Sequence, residues 1–177
     1  ILLGPNHRGS GSGIALSGVK SWETPLGDVW TSRELIDGLL RHLPDSTVDD
    51  AAHEKEHSIE VLLPFLQMVR PELEIACLSF SEPDLSLCLE AGRGLATAIR
   101  NFEETNERCA IVVSSDLNHY LTRKENHLKD LRALDALLGG DPEEGGDASE
   151  WTRGGGAGTG RRRARGAARR PAGGGGR

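Results

Sequence analysis

The chain has 177 residues, of which 37% are hydrophobic and 27% charged, a composition typical of a single globular domain. Its net charge of −6 is unevenly distributed along the sequence. Residues 151–177 hold eight of the 21 basic residues and none of the 27 acidic ones, which leaves residues 1–150 strongly acidic. The longest apolar runs span only a few residues, which excludes a transmembrane helix of about 20 residues, and no signal peptide is visible.

Hydrophobic periodicity predicts an α/β fold, with a central sheet and flanking helices, over residues 1–150. The apolar run 1–3 reads as the end of a strand whose start precedes the sequence. The other predicted elements, in chain order, are a strand over 14–19, a helix from an N-cap at Thr31-Ser32 to Leu43, a helix from Ser58 with a kink or restart at Pro64, a strand over 74–80, a helix over 84–102, a buried strand over 109–115 and a helix over 124–138.

Residues 151–177 are almost entirely Gly, Arg and Ala, and such a segment has nothing to bury. We therefore predict a disordered tail. Its composition is typical of GC-rich DNA translated in a shifted frame, and the alternative is an arginine-rich arm for nucleic acid. Because Trp151 is its sole aromatic residue, the sequence does not favour nucleic acid as a partner.

The three cysteines are widely spaced, and none forms a C-x-x-C pair. Each of Cys77, Cys88 and Cys109 stands in an apolar stretch, which predicts reduced core residues. A chain of this kind is expected in the cytoplasm, without a membrane partner.

Polar residues follow two of the predicted strands directly. Asn6 and His7 come after the first, and Ser115, Asp116 and His119 come after the strand over 109–115. The strand–helix–strand order of 74–115 makes its strands parallel, so their carboxyl ends open on one edge of the sheet, where α/β proteins bind ligands. We expect these side chains to share one pocket.

Each candidate also has a structural interpretation. His7, in a glycine-rich loop, could bind a metal or ligand, or it could be an ordinary loop residue. Asp116 and His119 could act as an acid–base pair, or the Asp could cap a turn beside a surface histidine.

The segment His53-Glu54-Lys55-Glu56-His57 fits the H-E-x-x-H pattern, in which two histidines one helical turn apart bind zinc. A zinc metalloprotease is therefore one hypothesis for the function. The five residues are all ionisable, which is also typical of the solvated start of a helix, and no third ligand follows at a recognised spacing.

Four segments in order resemble the Memo family, whose bacterial and archaeal members are named AmmeMemoRadiSam system protein B. They are ILLGPNHRGSGSGIALS at 1–17, WETPLGDV at 22–29, EHSIEVLLPFLQ at 56–67 and SSDLNHY at 114–120. The resemblance implies a fold similar to class III extradiol dioxygenases (LigB-like), incomplete in this sequence at both ends.

The resemblance also implies site residues and a cofactor. His7 corresponds to a ligand of a divalent non-haem metal, with iron expected first and copper or zinc as alternatives. His119 corresponds to an acid or base and Asp116 to its carboxylate neighbour, while Glu56 and His57 line or support the pocket. The family's two other ligands, an upstream histidine and a downstream cysteine, have no counterpart here.

Two functions follow from the resemblance. One is a metal-dependent oxidoreductase with an unknown substrate, in the complete form of the protein. The other is a non-catalytic module that uses the same pocket to bind a peptide or partner. The family's name further implies association with AMMECR1-like and radical SAM proteins.

Overall fold

The computed structural model describes residues 1–81, 84–105 and 108–140. The strands are β1 (Leu2–Pro5), β2 (Ile14–Leu16), β3 (Ser21–Thr24), β4 (Gly27–Thr31), β5 (Ser46–Val48), β6 (Glu74–Ile75), β7 (Cys77–Phe80) and β8 (Val112–Val113). The helices are α1 (Arg33–His42), α2 (Leu63–Val69), α3 (Leu85–Glu103) and α4 (Arg123–Gly139). The predicted α/β class, with sheets and flanking helices, is confirmed.

The strands form two sheets, one with the order β5-β2-β7-β1-β8 and one with the order β3-β4-β6. In the larger sheet β1 pairs in parallel with both β7 and β8, while β2 is antiparallel to β7. Both strands that flank α3 therefore run parallel to β1, which lies between them. Their carboxyl ends meet at one edge, as the sequence predicts.

Side chains on the central strands alternate between two cores. Ile1 and Leu78 face a core that contains α1 and α3, and Leu2 and Cys77 face a second core on the other side of the sheet. The first core includes Leu35, Ile36 and Leu39 of α1 with Ala91 and Ala98 of α3. The second includes Val29, Ile59, Leu63 and Ile75. The large sheet is thus covered on both faces.

Residues 74–80 were predicted as one strand, and this prediction is wrong in detail. Ile75 O accepts the backbone N–H of Ser32 at 2.9 Å, whereas Ala76 O accepts that of Leu2 at 2.8 Å. Successive residues thus bond to different partners, so β6 joins the small sheet and β7 the large one. Hydrophobicity alone does not reveal this division, because Ile75 and Cys77 are both buried.

The strands over 14–19 and 109–115 were both predicted too long. β2 ends at Leu16, and β8 comprises only two residues. The side chain of Val113 is also exposed, with 62% of its surface accessible, so the prediction of a buried strand is wrong. The reason is its place in the sheet, since β8 lies at the end of the strand order and pairs with β1 alone among the described strands.

The predicted helices are confirmed, although the helix predicted from Ser58 begins only at Leu63. A short 3₁₀ turn, Glu60–Leu62, precedes α2, and Pro64 lies in the first turn of that helix, as expected for a restart at proline. Asp84 caps α3, and Thr122 begins a capping box with Glu125 at the start of α4.

The outer surfaces of two helices are apolar. Phe65, Met68 and Val69 of α2 are exposed because the buried face of this helix is formed by Leu63 and Gln67. Ala133 is the buried residue of α4, whose leucines are all exposed.

The cysteine prediction holds in part. All three cysteines are free, but Cys77 alone is buried. Cys88, in the first turns of α3, is exposed, because the buried face of this helix is formed by Ala91 and Ala98. Burial raises the pKa of the Cys77 thiol to about 12.

None of the described helices combines the length and the apolar character that a membrane span requires. The predicted tail, 151–177, lies outside the described residues, as does the end of the predicted domain, 141–150.

Candidate functional site

A tight turn directly after β1 presents His7. The side-chain oxygen of Asn6 accepts the backbone N–H groups of Arg8 at 3.1 Å and Gly9 at 2.9 Å, and its Nδ2 donates to Ser10 O at 2.7 Å. Gly9 has a φ of +63°, which glycine adopts without strain. Asn6 is buried and its side chain bonds to three residues of this loop, so it fixes the turn that carries His7.

Residues 53–59 pass over the end of β1, and Gly4 makes this approach possible. A Cβ at Gly4 would lie 2.6 Å from Ser58 Oγ, which is closer than real contacts allow. Ser58 Oγ also donates a hydrogen bond to Pro5 O at 3.0 Å. These contacts bring Glu56 beside the loop of His7. The sequence analysis did not predict a role for Ser58. The pattern that could have indicated one is a small hydroxyl residue directly after Glu56 and His57.

The carboxylate of Glu56 is almost completely buried and accepts several hydrogen bonds. Its Oε2 accepts the His7 backbone N–H at 2.6 Å, and its Oε1 accepts those of His57 at 2.8 Å and Ser58 at 2.9 Å. Burial alone would raise the pKa of Glu56, but the hydrogen bonds from the His7 side chain and from these amides lower it to about 2. Glu56 is therefore ionised over the whole physiological pH range.

The ring of His7 lies between two carboxylates. Its Nδ1 is 3.0 Å from Glu56 Oε1, and its Nε2 is 3.3 Å from Asp116 Oδ2. The hydrogen bond to Glu56 raises the pKa of His7, burial opposes the rise, and Asp116 adds to it. The cluster thus favours a positive charge at this ring, whether a proton or a metal ion supplies it.

Asp116 and His119 reach the site from the loop after β8. Ser114 N–H donates to Leu3 O at 2.8 Å, which continues the pairing of β8 with β1 to the edge of the sheet. Beyond this point His119 Nε2 lies 3.0 Å from Asp116 Oδ2. Ser115, which was predicted to line the pocket, is exposed and donates to Asp116 O at 3.2 Å.

His57 completes the cluster. Its Nδ1 is 3.2 Å from Glu56 Oε1, and its ring centre is 5.3 Å from that of His7. One donor atom from each of His7, Glu56 and His57 can be chosen so that all lie within 4.8 Å of one another, so this group could hold a metal ion. Imidazole nitrogens and a carboxylate oxygen suit iron(II), copper and zinc alike, so the donor chemistry fits the implied cofactor.

The cluster is open to solvent rather than enclosed. The exposed fraction of the side chain is 36% for His7, 53% for Asp116, 56% for His119 and 62% for His57. The structure therefore brings together the predicted residues His7, Glu56, His57, Asp116 and His119, but at an open edge of the sheet.

The H-E-x-x-H segment is neither the zinc helix of a protease nor the solvated start of a helix. Residues 53–55 form a turn, and His53 is buried with its Nε2 3.2 Å from Ala15 O. Burial lowers the pKa of His53, and Trp22 contacts its ring edge-on. His53 and His57 thus do not share one helical face, and the protease hypothesis loses its geometric basis.

Comparison with known proteins places this site in a family context. A family model described as Memo-like protein matches residues 1–153. The chain is 34% identical over 138 residues to a MEMO1 family protein of Pyrobaculum aerophilum, 37% over 142 residues to one of Methanosarcina mazei and 36% over 139 residues to one of Thermotoga neapolitana. These matches cover 78%, 80% and 77% of this chain and 48%, 51% and 48% of the respective relatives. The chain thus spans about half the length of the curated relatives it matches.

Proposed function

The chain belongs to the Memo-like protein family, and from this membership we propose that it is a non-haem metal-binding protein. In the complete form, we propose a metal-dependent oxidoreductase with a class III extradiol dioxygenase-like fold. The observation that carries the proposal is the convergence of imidazole and carboxylate groups from three distant segments on the ring of His7.

His7 is the proposed metal ligand, with His57 and Asp116 as further donors. Iron(II) is the first candidate, and copper and zinc are the alternatives that experiment must separate. When bound, such an ion supplies a Lewis acid for an oxygenated or aromatic substrate.

His119 and Asp116 are the proposed proton-handling pair. His119 Nε2 lies 3.0 Å from Asp116 Oδ2, and its exposed ring can reach a substrate at the open edge. The Asp116 carboxylate at Nε2 orients the ring and stabilises its protonated form, and the other ring nitrogen, Nδ1, accepts or donates the proton.

A second candidate is a binding module for a peptide or partner, and the openness of the cluster favours it. More than half of the side-chain surface of Asp116, His119 and His57 is exposed, which leaves room for a ligand larger than a small molecule. Association with AMMECR1-like or radical SAM proteins would belong to this function.

Metal titration tests the first proposal. The metal-free protein is equilibrated separately with iron(II), copper(II) and zinc(II) against a competing chelator, and bound metal is measured by mass spectrometry. We expect binding by the wild type, loss of it in His7→Ala, and no change in the control His127→Ala, which alters an exposed histidine of α4. Retention of the metal by His7→Ala would refute the proposed ligand. Oxygen consumption with a panel of aromatic substrates then separates an enzyme from a binding module.

A further inference from the structure

The carboxylate of Glu56 is held in one orientation by the backbone. Its side chain is 2% exposed, and its two oxygens accept the N–H groups of His7, His57 and Ser58. The carboxylate cannot rotate without leaving at least one of these donors unpaired, which is unfavourable beside a buried side chain. Glu56 is therefore a fixed acceptor rather than a mobile side chain.

This fixed acceptor determines which nitrogen of His7 carries a hydrogen. Glu56 Oε1 lies 3.0 Å from His7 Nδ1, and an ionised carboxylate can only accept, so Nδ1 must donate. The other nitrogen, Nε2, then faces outward to Asp116 Oδ2 at 3.3 Å. A lone pair and a carboxylate oxygen at this distance repel each other unless a cation lies between them.

We infer that Glu56 is a positioning residue, which fixes the ring and tautomer of His7 so that Nε2 faces the metal, and that Glu56 does not itself bind the ion. This inference rests on the proposed function, since it assigns how His7 presents its ligand atom. Metal-binding histidines commonly donate their second N–H to a carboxylate or carbonyl in this way.

The hydrogen bonds of Glu56 also argue against direct ligation. Oε1 already accepts two backbone N–H groups and the Nδ1–H of His7, and Oε2 accepts a third backbone N–H. To bind an ion, an oxygen would have to give up donors that are buried beside it. Asp116, by contrast, is half exposed and lies on the Nε2 side of the ring.

The test compares Glu56→Gln with the control Glu60→Gln, which alters an exposed glutamate four residues along the chain. The first measurement is the tautomer of His7 in the metal-free protein, from its ¹⁵N ring shifts at a pH at which a titration shows the ring to be neutral. We expect the Nδ1–H tautomer in the wild type and the control, and a shift toward Nε2–H in Glu56→Gln. The second measurement is metal affinity by chelator competition, where we expect a loss of about 10–100-fold in Glu56→Gln alone.

Each outcome decides the inference. An Nε2–H tautomer in the wild type would overturn it, and this result needs no folded variant. A folded Glu56→Gln protein that binds no metal while His7 keeps its Nδ1–H tautomer would show that Glu56 is a ligand, and would also overturn it. If the wild type binds none of the three metals, the proposed function fails, and the tautomer of His7 still decides whether Glu56 positions the ring.

Discussion

His7 and Asp116 are separated by 109 positions in the sequence, yet His7 Nε2 and Asp116 Oδ2 lie 3.3 Å apart. The reason is that β1 and β8 are parallel neighbours, so the loops that follow them leave the sheet side by side. A pair of residues that are remote in the chain therefore meets at the edge where α/β proteins place their ligands.

We expect Asp116→Asn and His119→Ala to separate metal binding from proton transfer. His119→Ala should keep the metal and lose any turnover, because its ring handles a proton and is not the proposed ligand. Asp116→Asn should weaken metal binding less than His7→Ala does, since it removes a neighbouring charge. Metal content and substrate turnover of the three variants provide the check. Loss of metal from His119→Ala together with full retention in His7→Ala would reverse the assignment.

Stability should fall in acid because of Glu56. Its pKa is about 2 in the folded chain against an ordinary value of 4.5, so ionised Glu56 stabilises the fold above pH 4.5 and this contribution is lost as the pH falls toward about 2. Urea unfolding over this pH range should show a steeper loss in the wild type than in Glu56→Gln. The control Glu60→Gln should follow the wild-type profile, and identical profiles for all three proteins would contradict the role of Glu56.

Two glycines of α3 should respond in opposite directions to alanine. A Cβ at Gly94 would lie 2.1 Å from His42 O, at the end of α1, so Gly94→Ala must push the two helices apart. We expect a loss of about 1–3 kcal/mol in the free energy of unfolding. At Gly92 a Cβ meets nothing within 4 Å, and alanine there should add about 0.5–1 kcal/mol through helix propensity. Urea unfolding measures both values, and equal effects would show that helix propensity, not packing, dominates.

The edge strand β8 should promote self-association. Val113 is 62% exposed on a strand whose far side has no partner among the described strands, and such edges pair with other chains. We expect Val113→Lys to reduce concentration-dependent association in sedimentation velocity. The control Val69→Lys places the same charge on an exposed helical residue of α2, where it should have a smaller effect. A larger effect of the control would assign the association to the surface of α2 instead.

The sequence predicts that His7 shares one edge of the sheet with Asp116 and His119, because each of them follows the end of a predicted strand. The family resemblance places Glu56 at the pocket, but the strand pattern does not predict its contact with His7, which depends on the path of residues 53–59 across β1 and on the absence of a side chain at Gly4. The local pattern is misleading here, since H-E-x-x-H suggests a helix while the chain forms a turn with His53 buried. Local periodicity carries no information about such long-range packing.

The division of residues 74–80 between two sheets also escapes sequence analysis. Ile75 and Cys77 are both apolar and buried, so their pattern is that of one continuous strand. The two strands differ in their backbone hydrogen-bond partners, since Ile75 O accepts from Ser32 and Ala76 O accepts from Leu2. These partners come together only when the sheets assemble.

The position of β1 within the large sheet also constrains the order in which the protein can fold during synthesis. Leu2 pairs with Cys77 and with Val112, which the ribosome adds 75 and 110 positions later. Contacts so distant in sequence make folding slow, because the chain loses the entropy of closing a long loop before the strand pairing stabilises it. A nascent chain that has passed Phe80 but not Val112 can pair β1 on one side only, so the other edge of β1 stays open to wrong partners during this interval.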